Sequence, residues 1–105
     1  MTIIPNIKIN YDIGNSAANG FDPVEELKIY GSRILNVHVK DRILGGGTVP
    51  LLQGNADFAL IFSKLNQIKY CGNFILQTAR AENKNHADQI LKYQNMVLGW
   101  LSLSC

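Results

Sequence analysis

Residues 34–40 read ILNVHVK, a stretch in which branched apolar residues alternate with polar ones. Such alternation is typical of a β-strand with one buried face. A glycine-rich loop over residues 41–54 follows, and Asn55 then precedes a segment at 58–68 whose apolar residues recur at helical spacing. The sequence therefore predicts a strand, a long loop and a helix that Asn55 caps.

The same order occurs on both sides of this unit. Before it, the sequence predicts a strand at 7–13 and a helix that Asp22 caps ahead of a proline. After it, a short apolar strand at 74–78 precedes a helix that begins at Asn85 or His86. Three successive βα units predict an α/β fold with three parallel strands, because a parallel pair needs a crossover helix. Both outer strands of such a sheet would have unpaired edges.

Composition narrows the classes of function. The 105 residues are 47% hydrophobic and 17% charged, which is typical of a globular domain. The net charge of +2 is spread along the chain without a basic patch, so no nucleic-acid partner is expected. The sequence contains neither a run of about 18 apolar residues nor a basic segment followed by an apolar one at its N-terminus. We therefore expect no membrane association and a cytoplasmic location.

The two cysteines of the chain are Cys71 and Cys105. Two cysteines do not make a disulfide framework, and Cys105 is the last residue, where chains commonly fray. The sequence therefore favours two unpaired thiols over a structural disulfide.

Each predicted strand carries polar residues on one face, and the candidate site residues among them are Asn10, Asp12, Asn36, His38, Lys40 and Gln77. Active sites of α/β folds lie at the C-terminal ends of parallel strands. Asp12 and His38 offer the oxygen and nitrogen ligands that Mn, Mg, Co or Zn accept, and Gln77 offers a weaker carbonyl oxygen. Spacing alone leaves a structural alternative open, in which Asp12 starts a turn, His38 is a core histidine and Gln77 caps a strand edge.

Two arginines flank the same end of the predicted sheet. Arg42 and Arg80 could hold a phosphate or a carboxylate, and solvated surface side chains are an equally open interpretation. Between them, the run LGGGT at 44–48 would let backbone N–H groups approach an anion, or would form a flexible active-site loop. This run lacks the lysine that ends a P-loop, so it is a weak nucleotide signal.

Four motifs in chain order resemble the sugar phosphate isomerase/epimerase group of the xylose isomerase-like TIM barrels: YDIGNS at 11–16, NVHVKDR at 36–42, GGGTVPL at 45–51 with GNADF at 54–58, and FILQTAR at 74–80. The resemblance implies that the three strands are strands six, seven and eight of an eight-stranded barrel. The fold class it implies is α/β, a partial (β/α)8 TIM barrel of three parallel βα units. A complete barrel takes about 250 residues. Residues 1–105 are therefore interpreted as the C-terminal portion of such a barrel, whose N-terminal part is missing.

The resemblance also implies a divalent metal, Mn, Mg, Co or Zn, at the mouth of the barrel. By position, its ligands would be Asp12, His38 and Gln77. Gln77 replaces the acidic residue usual on strand eight, and the usual glutamate of strand five has no counterpart here, so the fragment alone could also bind no metal. The resemblance assigns catalysis to Lys40 and Gln77, and substrate binding to Asn10, Lys40, Arg42 and Arg80.

The implied chemistry is isomerisation or epimerisation of a sugar or sugar phosphate by proton transfer next to a carbonyl. Because the chain lacks a pair of carboxylates, we expect no appreciable activity from the monomer. An alternative of another class is an inactive fragment that self-associates through its open sheet edges into a homo-oligomer. A DNA-repair endonuclease of the same fold is disfavoured, because those enzymes use many histidine ligands and this chain has two histidines.

Overall fold

The computed structural model describes residues 8–78 and 86–101. A short 3-10 turn at Gly31–Arg33 separates the second helix from the second strand. The elements in chain order are β1 (Ile9–Asp12), α1 (Ile13–Ala18), α2 (Pro23–Tyr30), β2 (Ile34–Val39), β3 (Asp41–Arg42), β4 (Thr48–Val49), α3 (Phe58–Gln67), β5 (Asn73–Leu76) and α4 (His86–Trp100).

The main sheet has the strand order β1-β2-β5, and both of its strand pairs are parallel. The predicted α/β fold with three parallel strands is therefore confirmed. The register places Asp12 beside His38, and His38 beside Ile75. A β-bulge follows Ile9, and Leu35, which has no Cα partner on β1, is 50% exposed.

One face of the sheet packs against the helices. Tyr11 and Val37 are buried on this face, and α3 covers them with Phe58, Ile61, Phe62 and Leu65, all buried as the helical spacing predicts. The ring of Phe62 stacks on the ring of Phe74 with centroids 5.5 Å apart. The other face of the sheet, where the polar rows lie, is left largely open.

Three helix starts differ in how well the sequence predicts them. Asp22 caps α2 by accepting a hydrogen bond from the N–H of Val24, as predicted. The cap of α3 is Asp57, not Asn55, because the side chain of Asn55 instead accepts the N–H of Leu44 in the preceding loop. Helix α1 is not among the predicted elements, because the sequence predicts only a strand at 7–13 before the helix that Asp22 caps.

The last helix leaves several of its large apolar side chains exposed. Tyr93 and Val97 are buried, whereas Ile90, Leu91 and Leu98 are 51 to 57% exposed. Within the described residues no element packs beyond α4, so this part of its surface has no cover. None of the described helices is long and apolar enough to cross a membrane.

The expectation of two unpaired thiols is wrong for Cys71, which is disulfide-bonded. Its partner lies outside the described residues. The end of α4 returns to the end of α3, where Asn66 Nδ2 donates to the carbonyl of Trp100 at 3.3 Å. The end of α4 therefore lies beside the end of α3, which the sequence alone did not indicate.

Candidate functional site

The side chains of Asp12 and His38 lie next to each other at the C-terminal ends of β1 and β2. Their Cα atoms are register partners across the parallel pair, and both side chains lie on the open face of the sheet. The imidazole of His38 is half-buried and makes no hydrogen bond within the described part of the chain. The alternative of a core histidine bonded to a neighbour is therefore not what the structure shows.

Both oxygens of Asp12 have a partner. Oδ1 accepts the N–H of Asn15 at 2.9 Å and so caps α1, and Oδ2 lies 3.7 Å from Nζ of Lys40. The turn-starting role considered for Asp12 is thus real, and it coexists with a carboxylate that faces the site. The ion pair is loose and its two side chains are 21% and 19% exposed, so Oδ2 remains accessible.

Gln77 lies one row further along the same face. Its backbone N–H donates to the carbonyl of Val39 at 3.0 Å, which aligns the end of β5 with the end of β2. The side chain is exposed, and Ile75 occupies the register position beside His38. In the described ranges no group of three His, Cys, Asp or Glu residues comes together. Asp12 and His38 thus fit a metal as two ligands of an incomplete set.

Arg42 is held in place rather than solvated. Its Nε and Nη2 both donate to the carbonyl of Gly46, at 3.0 and 2.7 Å, and its Nη1 donates to Oδ1 of Asn15 at 2.7 Å. Asn15 therefore connects Arg42 to the helix that Asp12 caps. A guanidinium has five N–H donors, so two remain for an anionic or hydroxyl group. The second arginine predicted for this end, Arg80, lies outside the described residues.

The glycine-rich loop does not form an anion cradle. The N–H of Gly45 donates to the carbonyl of Ala18 at 2.7 Å, and the N–H of Gly46 donates to the carbonyl of Ile43. Gly45 has a φ of 68°, which allows the tight turn between β3 and β4. The loop is instead a small antiparallel ribbon fastened to α1.

Asp41 was not predicted as a site-forming residue. Its side chain is fully buried, Oδ2 accepts the N–H of Gly54 at 2.9 Å, and Oδ1 accepts the N–H of Ala56 at 3.1 Å. Asp41 thus closes the loop that carries Arg42. Strand parity could have identified it, because Asp41 continues the buried row of Val37 and Val39.

Asn10 lies one row before Asp12, in a ladder of three amides. Asn36 Nδ2 donates to Oδ1 of Asn10 at 2.8 Å, and Asn73 Nδ2 donates to Oδ1 of Asn36 at 3.1 Å. The register aligns all three residues across the sheet. Neither the ladder nor its polarity was apparent from the sequence, because strand register cannot be read from one strand at a time.

A buried cluster on the opposite side supports α1. Ser16 Oγ donates to the carboxylate of Glu26, and Tyr11 Oη donates to the same oxygen at 3.4 Å. Burial, together with the nearby charge of Glu26, raises the pKa of the Tyr11 hydroxyl. The cluster fixes the helix from which Asn15 reaches Arg42.

A cavity of about 230 Å³ lies between α1, the start of α2 and the loop before α3. Its lining is mainly apolar and includes Phe21, Leu44 and Ile61. It contains none of the candidate site residues. The candidate site residues therefore lie on the open sheet face and not in this cavity.

The acid and the imidazole lie at the C-terminal ends of parallel strands, which is where α/β proteins, barrels among them, carry their sites. A family model described as xylose isomerase-like TIM barrel matches residues 2–96. The chain belongs to this family, and the resemblance to its sugar phosphate isomerase/epimerase group is confirmed.

Similar proteins agree with this family. The chain is 33% identical over 94 residues to L-ribulose-5-phosphate 3-epimerase UlaE of Salmonella paratyphi A and of Salmonella typhi. Each alignment covers 89% of this chain and 33% of the relative. The chain therefore spans about a third of the length of these curated relatives.

Among solved structures, D-allulose 3-epimerase from Methylomonas sp. superposes with a TM-score of 0.66 at 19% identity. The superposition covers 88% of this chain and 37% of that protein. At this identity the likeness shows the fold alone. The fold is a partial TIM barrel, whose three parallel strands do not close.

Proposed function

We propose that this chain is the C-terminal portion, residues 1–105, of a divalent-metal-dependent sugar phosphate isomerase or epimerase. The observation that carries the proposal is the adjacency of Asp12 and His38 at the C-terminal ends of two parallel strands. The names of the relatives support a ketose or ketose phosphate as substrate and carbon 3 as the reacting centre. The proposal includes a cytoplasmic location, where such phosphorylated sugars would be found.

Asp12 and His38 would hold the metal, with the amide oxygen of Gln77 as a third and weaker ligand. Members of the family are generally metal-dependent. When bound, a divalent metal polarises a carbonyl and stabilises the negative charge that develops on its oxygen. Further ligands would come from outside the described residues.

The remaining residues would bind and orient the sugar. Lys40 places a positive charge 3.7 Å from Asp12 and could attract a substrate oxygen or a phosphate. Arg42 is fixed by Gly46 and Asn15, so its two remaining N–H groups have a defined direction. The unused Nδ2 group of Asn10 could donate to a substrate hydroxyl, and Arg80 completes the proposed substrate set.

Proton transfer at carbon would need a carboxylate base that the described residues do not supply beside Asp12 and His38. A neutral amide cannot accept a proton from carbon at neutral pH, so Gln77 could only orient the substrate. The ammonium of Lys40 could donate a proton to a substrate oxygen. The carboxylate that takes the carbon-bound proton would therefore come from outside the described residues, and we expect no appreciable turnover from the chain alone.

A chimera tests this proposal. The last third of the Salmonella paratyphi A epimerase would be replaced by residues 1–105, and epimerisation of L-ribulose 5-phosphate would be measured with Mn²⁺. We expect measurable turnover in the chimera and none in the isolated chain. Asp12→Asn or His38→Ala should lower kcat/KM of the chimera by about 100-fold or more, because each removes a ligand.

Gln67→Glu is the control, since Gln67 is exposed at the end of α3 and is not one of the candidate site residues. It should leave kcat/KM unchanged. An active chimera that tolerates both site substitutions would contradict the assignment of Asp12 and His38. Turnover by the isolated chain would contradict the proposed need for a second part.

A second candidate function rests on the sheet edges. Within the described sheet, β1 and β5 are each paired on one side only. An unpaired edge presents a row of backbone N–H and C=O groups to any other strand. The chain could therefore be an assembly unit that buries these edges by self-association.

A further inference from the structure

The asparagine ladder has a direction. Each amide nitrogen in it donates toward β1, from Asn73 to Asn36 and from Asn36 to Asn10. At the β1 end, Nδ2 of Asn10 makes no hydrogen bond among the described residues, and at the β5 end, Oδ1 of Asn73 accepts none there. The ladder thus ends in a free donor on one edge of the sheet and a free acceptor on the other.

The two edges that carry these ends can meet without reversing a strand. Strands β1, β2 and β5 all run in the same direction. A β5 edge placed beside the β1 edge of another copy would therefore form a further parallel pair. Continuing the register observed within the sheet would put Asn73 beside Asn10 of that copy.

We propose that in the isolated chain the β5 edge of one copy pairs in parallel with the β1 edge of a second copy. Nδ2 of Asn10 on the second copy would donate to Oδ1 of Asn73 on the first, so that the ladder runs on across the boundary. This inference rests on the self-association candidate. It uses the Nδ2 group of Asn10, which the isomerase assignment gives to a substrate hydroxyl, but it involves neither Asp12 nor His38. The occupant of each edge is a second copy of this chain, because the donor end and the acceptor end complement each other.

Apolar surface beside these edges supports the same arrangement. Helix α4 contacts β5 and leaves Leu91 and Leu98 56% and 57% exposed, and helix α2 leaves Ile29 73% exposed. Pairing β5 of one copy with β1 of the next would bring α4 of the first toward α2 of the second. Burial of these side chains would add a non-directional contribution to the directional ladder.

Such an interface is head-to-tail, since it joins two different edges. A head-to-tail interface either closes into a ring or extends into an open chain of copies. It gives a dimer only when the ring closes with two copies. The mass of the assembly should therefore exceed the 11.7 kDa of the monomer and rise with concentration until a ring closes.

The test uses one chemical change at the two ends of the ladder. Asn10→Asp keeps the oxygen that accepts from Asn36 but replaces the outward donor by an acceptor. Asn73→Asp removes the donor to Asn36 but keeps an outward acceptor, now charged. We expect Asn10→Asp to retain the stability of the fold and weaken association about tenfold or more, since two acceptors would face each other.

Asn73→Asp should show the reverse result. Its thermal unfolding midpoint should fall, whereas its association constant, measured by sedimentation below that midpoint, should be retained or raised. A carboxylate accepts a hydrogen bond more strongly than an amide oxygen does. Gln67→Glu makes the same amide-to-acid change on the exposed part of α3 and should alter neither quantity.

Mixing experiments test the polarity of the interface. The Asn10→Asp chain retains a working β5 end, so adding it to the wild-type chain should terminate assemblies and lower their mean mass. A wild-type chain that remains monomeric at all concentrations would overturn the proposal. Association unchanged by Asn10→Asp, or weakened equally by Gln67→Glu, would overturn it as well.

The outcome is separable from that of the proposed function. Turnover in the epimerase chimera depends on Asp12 and His38, and self-association depends on Asn10 and Asn73. A monomeric wild-type chain together with an active chimera would refute the ladder interface alone. An associating chain together with a chimera insensitive to Asp12→Asn would refute the site assignment alone.

Discussion

Asp12 and Asp41 are two aspartates near the ends of neighbouring parallel strands, and the structure treats them differently. The carboxylate of Asp41 is fully buried and accepts backbone N–H groups from Gly54 and Ala56. The carboxylate of Asp12 is partly exposed, caps one N–H and pairs loosely with Lys40. Asp41 holds a loop, whereas Asp12 retains an accessible oxygen. Identical residue type at similar positions thus gives an anchor in one case and a candidate ligand in the other.

The largest loss of stability is expected from Asp41→Asn. An amide offers one acceptor oxygen and turns its NH₂ group toward the second backbone N–H, which is then buried without a partner. We expect a loss of about 2–4 kcal/mol in the free energy of unfolding, measured by urea denaturation. Asp57→Asn is the matched control, because Asp57 caps α3 through a single exposed bond and asparagine is an equally good cap. Equal losses in the two variants would show that Asp41 is not an anchor.

Gly54→Ala examines the same anchor from the opposite side. A Cβ at Gly54 would lie 2.2 Å from Oδ1 of Asp41 and 2.5 Å from the carbonyl oxygen of Arg42. The Asp41 side chain is buried and held by two hydrogen bonds, and the other atom is backbone, so the loop would have to shift, at a cost of about 2–3 kcal/mol. Gly47→Ala lies in the same loop with nothing within 4 Å and should change the free energy of unfolding by less than about 0.5 kcal/mol. If Gly54→Ala lowers the free energy of unfolding no more than Gly47→Ala does, the close contacts around Asp41 are wrong.

Sequence reasoning succeeds where local pattern and fold agree. Alternation along residues 34–40 places His38 and Val37 on opposite faces, and the Asp22-proline pair marks the start of α2 as observed. It also places Asp12 and His38 together, because parallel strands bring their C-terminal ends to one edge. The positions of these side chains follow from period-two geometry alone.

Contacts between residues distant in sequence could not be predicted. The cap of α3 is Asp57 because Asn55 is already bound to Leu44, a contact eleven residues away that no local pattern reveals. The six residues of α1 show little apolar periodicity, so a helix there depends on its cap and on tertiary contacts. The bond between Arg42 and Asn15 spans 27 residues and depends on the loop that Asp41 closes.

Tyr11 precedes Asp12 in β1 and lies on the opposite, helix-covered face of the sheet. A substitution of Tyr11 therefore tests whether alternate residues of β1 lie in buried and open environments. Burial raises the pKa of the Tyr11 hydroxyl, so the folded state retains this proton at a pH where an unfolded tyrosine ionises. The contribution of Tyr11 to the free energy of unfolding is therefore complete below about pH 10. Above that pH it declines by about 1.4 kcal/mol per pH unit. Tyr11→Phe should remove this part of the slope in urea denaturation between about pH 10 and 11. Identical slopes in the wild type and the variant would contradict the buried setting of Tyr11.

The smallest effect on stability is expected from Asp12→Asn. Asparagine caps a helix as well as aspartate does, so the bond to the N–H of Asn15 survives the change. Only the loose pair with Lys40 is lost, and the free energy of unfolding should change by less than about 1 kcal/mol in urea denaturation. Set against Asp41→Asn, the same substitution would then be costly where the carboxylate serves the fold and tolerated where it faces the site. If Asp12→Asn destabilises the chain as much as Asp41→Asn does, Asp12 is a structural anchor as well, and the contrast between the two carboxylates is wrong.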